Sequence, residues 1–145
     1  MLGVAVAIVS GMLMSVQGVF NERITAQTSV WVCSSFVQFT ALLTCLAAWC
    51  ISGFGGSFSS LLAVDNKYML LGGVMGAAIT YTVIRSFSSL GAAQAVMIIV
   101  VSQLFAAYLV ELFGIFGTQK AQFELRKLIA MLICTGGILL FKWEK

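Results

Sequence analysis

The 145-residue chain has no histidine, no proline and few charged residues, and each absence limits what the protein can be. Without histidine it lacks the commonest metal ligand and the usual proton acceptor at neutral pH. Without proline, any break within a helix has to depend on glycine, serine or polar side chains. The sequence contains no recognisable nucleophile–base pair, metal-ligand set or phosphate-binding loop. An enzyme is therefore the least favoured class, and no metal or cofactor is expected.

Apolar residues dominate what is present. They make up 61% of the chain, whereas charged residues make up 9%, compared with about 25% charged residues in soluble domains. The mean hydropathy is +1.06. A soluble protein of this size leaves too much surface in water to bury such a share of apolar side chains. The composition therefore predicts an all-α integral membrane protein, and no basic patch suggests a nucleic-acid partner.

Charges and turn residues divide the chain into five apolar segments, each close to the roughly 20 residues that cross a bilayer. The N-terminal segment lacks a positively charged start and a small-residue cleavage site, so it is predicted to be a spanning helix and not a signal peptide. Trp143 suits the membrane interface at the end of the last segment. We predict one transmembrane domain over residues 1–145, with helices at about 2–20, 29–54, 68–84, 91–116 and 125–141.

Basic residues are divided evenly between the two membrane faces that five spans would create. One face receives Lys67, Lys120, Arg126 and Lys127, and the other receives Arg23, Arg85, Lys142 and Lys145. The positive-inside rule then gives no preferred orientation. This balance favours insertion both ways up, although an accidental balance is the alternative. Two antiparallel copies, or one copy with a paralogue, would form a ten-helix inverted repeat of the kind found in secondary transporters.

Polar residues inside the spans mark candidate sites, because such groups face a bundle interior or a cavity. Ser10, Gln17 and Asn21 share one face of the first helix at spacings of seven and four residues. They can line a substrate path or form interhelical hydrogen bonds. We predict a substrate-lining set of Gln17, Asn21, Gln38 and Gln103, with Ser10, Tyr81 and Arg85 as secondary members. Glu22 and Arg23 are expected at the water edge, and Arg85 at a helix end.

Glu111 is the carboxylate that long apolar stretches flank on both sides, in "FAAYLVELFGIFG". Hydrocarbon penalises the charged form of a carboxyl group, so Glu111 is a candidate for proton coupling or for a cation site. The alternative is a helix-end residue that reaches the interface.

Small residues recur at helix-packing spacing in the third span. Gly72, Gly76 and Thr80 follow one another at intervals of four residues. Small side chains at this spacing let helix backbones approach closely in lipid. We predict that these three residues form a helix-packing face.

The chain resembles the YdcZ family of the drug/metabolite transporter superfamily over most of its length. The resemblance rests on the order and spacing of "QGVFN", "LLGGVMGA", "LGAAQAVMIIVVSQL", "ELFGIFG" and "TGGILLF". It implies a five-helix half-transporter of the bacterial inner membrane that acts as a dimer and exports small organic solutes. By position, Gln17 and Asn21 match the family's polar pair, Gln103 its fourth-helix polar residue, and Glu111 its acidic residue before Phe-Gly.

Three segments depart from the family pattern. The chain has "AQTSVW" where the family has a small residue followed by proline, and "FVQFT" where a glycine is usual. It also has "RSFSSLG" where a proline is common. These departures bear on the geometry around Gln38 and Arg85, and therefore on which substrate is carried.

The resulting hypothesis is a small secondary transporter that exports a neutral or cationic organic solute. It would work by proton-coupled alternating access as an antiparallel dimer in the inner membrane. One rival class is a dual-topology ion channel, because "GGVMGAAITYTVIR" distantly resembles the glycine–arginine motif of fluoride channels. The helix break that such channels need is not evident. Two further rival classes are the four-helix multidrug-resistance proteins, which are shorter, and non-transporting accessory proteins of the membrane.

Overall fold

The computed structural model describes residues 1–142, and the side chains of residues 1–141. Trp143, predicted at the interface, lies outside the described residues. Short 3₁₀ helices at Phe58–Ala63, Lys67–Leu71 and Ile115–Gly117 interrupt the connecting segments. The long elements of the described chain are α1 (Leu2–Gln27), α2 (Val30–Ile51), α3 (Gly72–Leu90), α4 (Ala92–Phe113) and α5 (Leu125–Lys142).

Within residues 1–142, four helical segments are long and apolar enough to cross a membrane. They are Leu2–Gln27, Val30–Ile51, Lys67–Leu90 and Ala92–Phe113. The remaining helix, α5, has 18 residues and carries basic residues at both ends, which lowers its apolar content. A fifth span therefore stays a prediction. Most apolar side chains of the described helices are exposed, as expected where lipid is the solvent.

The first helix is longer than the sequence analysis predicts. The sequence predicts an end near Phe20, but α1 continues to Gln27. The prediction used the point where polar residues begin, which marks the edge of the hydrocarbon and not the end of a helix. Glu, Arg, Ala and Gln all favour helix, so the backbone continues past that edge. Glu22 and Arg23 consequently lie on the last turns of α1.

The other helix ends also differ from the predicted ones, and glycines explain several of the differences. α2 ends at Ile51, before the predicted Phe54, and Gly53 follows with a φ of 77°. α4 ends at Phe113 because Gly114 adopts the left-handed conformation that closes a helix. α3 begins after the 3₁₀ segment and runs to Leu90, so Arg85 lies inside the helix and not at its end.

The connection between α1 and α2 is a tight one. Thr28 and Ser29 separate the two helices, and the Ser29 side chain accepts a hydrogen bond of 3.2 Å from the Val32 backbone N–H. A serine in this N-cap position satisfies one of the free N–H groups of the first turn. Because the turn is so short, α1 and α2 form an antiparallel hairpin.

The chain divides into two compact units, residues 1–88 and the residues from Ser89 onward. In the first unit, α3 joins the α1–α2 hairpin through side chains. A Cβ placed on Gly18 would lie 2.5 Å from the Phe87 ring, so the Phe87 side chain of α3 packs directly against α1 at this glycine. Cys33, Ile84 and Phe87 are buried apolar side chains of this unit.

The second unit is an α4–α5 pair. Ala95, Tyr108 and Met131 are its buried apolar side chains among the described residues. The Tyr108 hydroxyl accepts a hydrogen bond of 3.1 Å from the Glu124 backbone N–H. This bond ties the segment before α5 to the C-terminal half of α4.

Candidate functional site

A groove of about 560 Å³ runs between α1 and α2 in the first unit. The α1 residues that line it recur at the spacing of one helix face, and they run from Leu13 through Gln17 to Ile24. Its lining is mostly leucine, valine, isoleucine, phenylalanine and alanine side chains. The polar and thiol side chains that line it are Gln17, Asn21, Thr40, Thr44 and Cys45.

Gln17 and Asn21 therefore share one groove, and they differ in exposure. Gln17 is exposed, whereas Asn21 is only 5% exposed. The Cys33 thiol donates a hydrogen bond of 3.4 Å to the backbone carbonyl oxygen of Asn21. Asn21 thus lies where the groove meets the packed α1–α2 interface. Ser10 lies on the same helix but is exposed and does not line the groove.

The two threonines in the groove have their hydroxyls occupied within α2. Thr40 Oγ1 donates to the carbonyl oxygens of Phe36 and Val37, and Thr44 Oγ1 donates to that of Thr40. Such bonds satisfy a hydroxyl within its own helix. The amides of Gln17 and Asn21 are therefore the polar groups of the groove best placed to receive a ligand.

Gln38 faces α3 and not the groove. Its Nε2 donates a hydrogen bond of 3.4 Å to Thr80 Oγ1, and it would lie 3.6 Å from a Cβ on Gly76. Gly76 and Thr80 thus meet α2 through the Gln38 side chain. Their role as a helix-packing face stays a prediction. A Cβ on Gly72 would meet no described atom within 4 Å.

Tyr81 and Arg85 belong to an aromatic stack between α2 and α3 in the first unit. The Trp31 and Tyr81 rings are stacked with centroids 4.9 Å apart. The Arg85 guanidinium lies 5.8 Å from the Tyr81 ring centroid, within reach of a cation–π interaction. The stack connects the start of α2 to the middle of α3.

Gln103 and Glu111 lie in the second unit. Both are exposed, and Glu111 occupies the last turn of α4. Glu111 lines a cavity of about 320 Å³ together with Tyr108, Lys127 and Met131. Gln103 does not line this cavity.

Lys127 is the basic residue of that cavity, and it has several partners. Its Nζ lies 3.0 Å from Glu124 Oε1 and 5.9 Å from the Tyr108 ring centroid. Glu111 adds a favourable electrostatic interaction. The carboxylate that looked isolated in the sequence therefore faces a lysine across the α4–α5 pair.

Sequence reasoning missed two residues. Sequence reasoning used Lys127 only as one of the basic residues that set membrane orientation. Its position three residues after Glu124, in the first turn of the last predicted helix, could have indicated an ion pair. The buried Thr25 hydroxyl, which has no hydrogen-bond partner in the described chain, was also missed. A threonine beside a turn is too common to single out.

Comparison with known families decides the class of the chain. Residues 2–140 match the family model described as "Putative inner membrane exporter, YdcZ". The chain belongs to the YdcZ family. Comparisons with curated proteins and with solved structures gave no significant match.

Membership confirms the resemblance that the sequence motifs indicated. Together with the four apolar helical segments, it makes the chain a multi-pass protein of the inner membrane. The family is described as one of exporters, which places the protein with the transporters. The functional roles of Gln17, Asn21, Gln38, Gln103 and Glu111 stay predictions.

Proposed function

We propose that this YdcZ-family protein exports a small neutral or cationic organic solute by proton-coupled alternating access, as an antiparallel dimer of five-span chains. Family membership supports the transport function. The α1–α2 groove supports the site, because it combines an apolar lining with two amide side chains. Its volume of about 560 Å³ falls within the range of about 300–1,000 Å³ that small-molecule sites occupy.

The proposed dimer is supported by polar side chains that are exposed on apolar helices. Gln17 and Gln103 are exposed on α1 and α4, both of which are long and apolar enough to span the bilayer. An amide against hydrocarbon without a hydrogen-bond partner costs several kcal/mol, about 4–8 on a cyclohexane scale. A second copy that covers these faces removes the cost and encloses the groove.

The balanced basic residues support an antiparallel arrangement of the two copies. A chain with no orientation preference is inserted both ways up, and two such copies of five spans each recreate an inverted repeat. In transporters of this design the solute site lies near the membrane midplane, between the two repeats. The groove on α1 and α2 would then occur twice, once in each copy.

Glu111 supports the proton-coupling step. A carboxyl group in a cavity of apolar side chains with one lysine can exchange a proton as its surroundings change between wet and dry. Release of the proton would leave a carboxylate that Lys127 attracts. Alternating access supplies the change in surroundings, because the cavity opens to one side of the membrane at a time.

Transport in reconstituted vesicles tests this function. Purified protein in proteoliposomes is loaded with solutes, and efflux is measured with and without an imposed pH gradient. Solutes are chosen beforehand by thermal stabilisation of the purified protein. Gln17→Leu is expected to reduce efflux at least tenfold. Thr82→Val is the matched control, because Thr82 is exposed, bonds its own helix and lines none of the described cavities.

Glu111→Gln is expected to abolish the pH-driven component and to leave solute exchange at equal pH intact. Glu22→Gln, which removes a carboxylate from the last turns of α1, serves as its control. Unchanged pH-driven flux in Glu111→Gln contradicts proton coupling at this residue. Unchanged flux in Gln17→Leu contradicts the groove as the site.

A further inference from the structure

Among the side chains that the structure describes, no acidic or basic one lines the α1–α2 groove. Its polar groups are two amides, two hydroxyls and a thiol, and the hydroxyls of Thr40 and Thr44 donate to α2 carbonyls. The chain has 13 acidic and basic residues, eight basic and five acidic, and none of the described ones lines this groove. The α4–α5 cavity differs in this respect, because Glu111 and Lys127 line it.

The charged residues that are nearest to the groove along α1 already have partners. Glu22 follows Asn21 directly, and its Oε2 lies 3.8 Å from Arg23 Nε. Neither of them lines the groove. Farther along the unit, Arg85 lies over the Tyr81 ring. A charged solute in the groove would therefore find no opposite charge among the side chains that line it.

We infer that the solute carried in this groove is uncharged, with a hydroxyl or amide group at one end and an apolar body. The inference rests on the proposed function and narrows its solute class from neutral or cationic to neutral. Burying an unpaired charge among apolar side chains costs far more than burying a hydrogen-bonded neutral group. A cation would lose its hydration in the groove and gain no carboxylate.

The chemistry of the two amides identifies the polar end of the solute. Gln17 and Asn21 each offer a carbonyl oxygen as acceptor and an NH₂ group as donor. A hydroxyl or an amide can use both at once, whereas a quaternary ammonium has no N–H to donate to the oxygen and no lone pair to accept from the NH₂ group. The leucine, valine and phenylalanine side chains along the rest of the groove then contact the apolar body of the solute.

A matched pair of probes tests the solute class. N-benzylacetamide is neutral, and benzyltrimethylammonium is a cation of similar size. Binding of each is measured by thermal stabilisation and by equilibrium binding to the purified full-length protein in detergent. The neutral probe is expected to bind at least tenfold more tightly than the cation. Gln17→Leu is expected to remove this preference, and Thr82→Val is expected to retain it.

A variant designed to reverse the preference for the neutral probe gives a second test. Thr40→Asp places a carboxylate in the groove, and Thr40→Asn changes the side chain to a similar size without charge. The aspartate variant is expected to bind the cation at least tenfold more tightly than the asparagine variant does. A tenfold change in the binding constant corresponds to about 1.4 kcal/mol.

Three results would overturn the inference: preference of the native protein for the cation, equal binding of the two probes, or no binding of either. No binding, with a change in dimerisation in Gln17→Leu, would show that a helix of the second copy fills the groove. Failure of the solute class is separable from failure of the proposed function. Cation preference with intact pH-driven efflux contradicts the neutral class alone, whereas absence of efflux for every solute contradicts transport.

Discussion

Gln38 and Thr80 are 42 positions apart in the chain, and the Gln38 Nε2 donates a hydrogen bond of 3.4 Å to the Thr80 Oγ1. The same hydroxyl donates to the Gly76 carbonyl oxygen at 3.0 Å. Gly76 has no side chain to keep Gln38 away, since the amide nitrogen lies 3.6 Å from where a Cβ would be. A small residue thus lets a polar side chain link α2 to α3.

This hydrogen bond is expected to contribute about 0.6 kcal/mol to the stability of the helical unit, as interhelical bonds in membranes do on average. A double-mutant cycle of Gln38→Ala and Thr80→Val, measured by unfolding in mixed micelles, gives the coupling energy. Thr82→Val is the control partner, because its hydroxyl bonds only the carbonyls of Ala78 and Ile79. Additive effects of Gln38→Ala and Thr80→Val would contradict the contact.

Gly18→Ala is expected to destabilise the first unit by about 1–3 kcal/mol, the usual cost of overpacking. The added Cβ would lie 2.5 Å from the Phe87 ring. Gly11→Ala is the matched control on the same helix, since a Cβ there meets no described atom within 4 Å. Unfolding midpoints of the two variants check the prediction. Equal midpoints would show that α1 and α3 do not meet at Gly18, and partial rescue by Phe87→Leu would support the contact.

Lys127→Met is expected to reduce pH-driven efflux at least tenfold. Lys127 lines the same cavity as Glu111, and its positive charge would attract the carboxylate that remains once the proton is released. Efflux driven by a pH gradient in proteoliposomes gives the rate. Arg126→Met removes a neighbouring positive charge that does not line the cavity, and it serves as the control. A rate that stays unchanged, or falls equally in both variants, contradicts the role of Lys127.

Membrane orientation is expected to follow small changes in the distribution of basic residues. The native chain should show its C-terminus on both sides of the membrane, as measured with a C-terminal tag and impermeant labelling. Lys67→Gln with Lys120→Gln leaves two of the four basic residues on one face against four on the other. The C-terminus should then become predominantly cytoplasmic. Arg23→Gln with Lys142→Gln should shift it the opposite way. A single uniform orientation of the native chain would exclude the antiparallel homodimer.

The helix content of the protein could be predicted from the sequence, and the helix ends less well. Long uncharged stretches have few alternatives to helix in lipid, because every backbone group needs a hydrogen bond within its own segment. The ends depend on local features that hydropathy does not report. Gly114 closes α4 through a left-handed conformation, whereas Glu22 and Arg23 continue α1 beyond the hydrocarbon edge.

The candidate site, like the helices, could be predicted from the sequence only in part. The spacing of Gln17 and Asn21 placed them on one face of α1, and the structure has them in one groove. The same reasoning grouped Gln38 with them, yet Gln38 bonds Thr80 on α3. Periodicity tells which residues share a helix face. It does not tell which neighbouring helix that face meets.

The sequence by itself determined the class of the protein, its family and the faces of its helices that carry polar groups. These depend on composition, motif order and the period of the α-helix, all of which are local properties. Only the tertiary structure decided that Glu111 and Lys127 line one cavity, that the Phe87 ring packs on Gly18, and that the described side chains lining the α1–α2 groove are uncharged. Such contacts join residues far apart in the chain, and they depend on how side chains of different helices fill the same space.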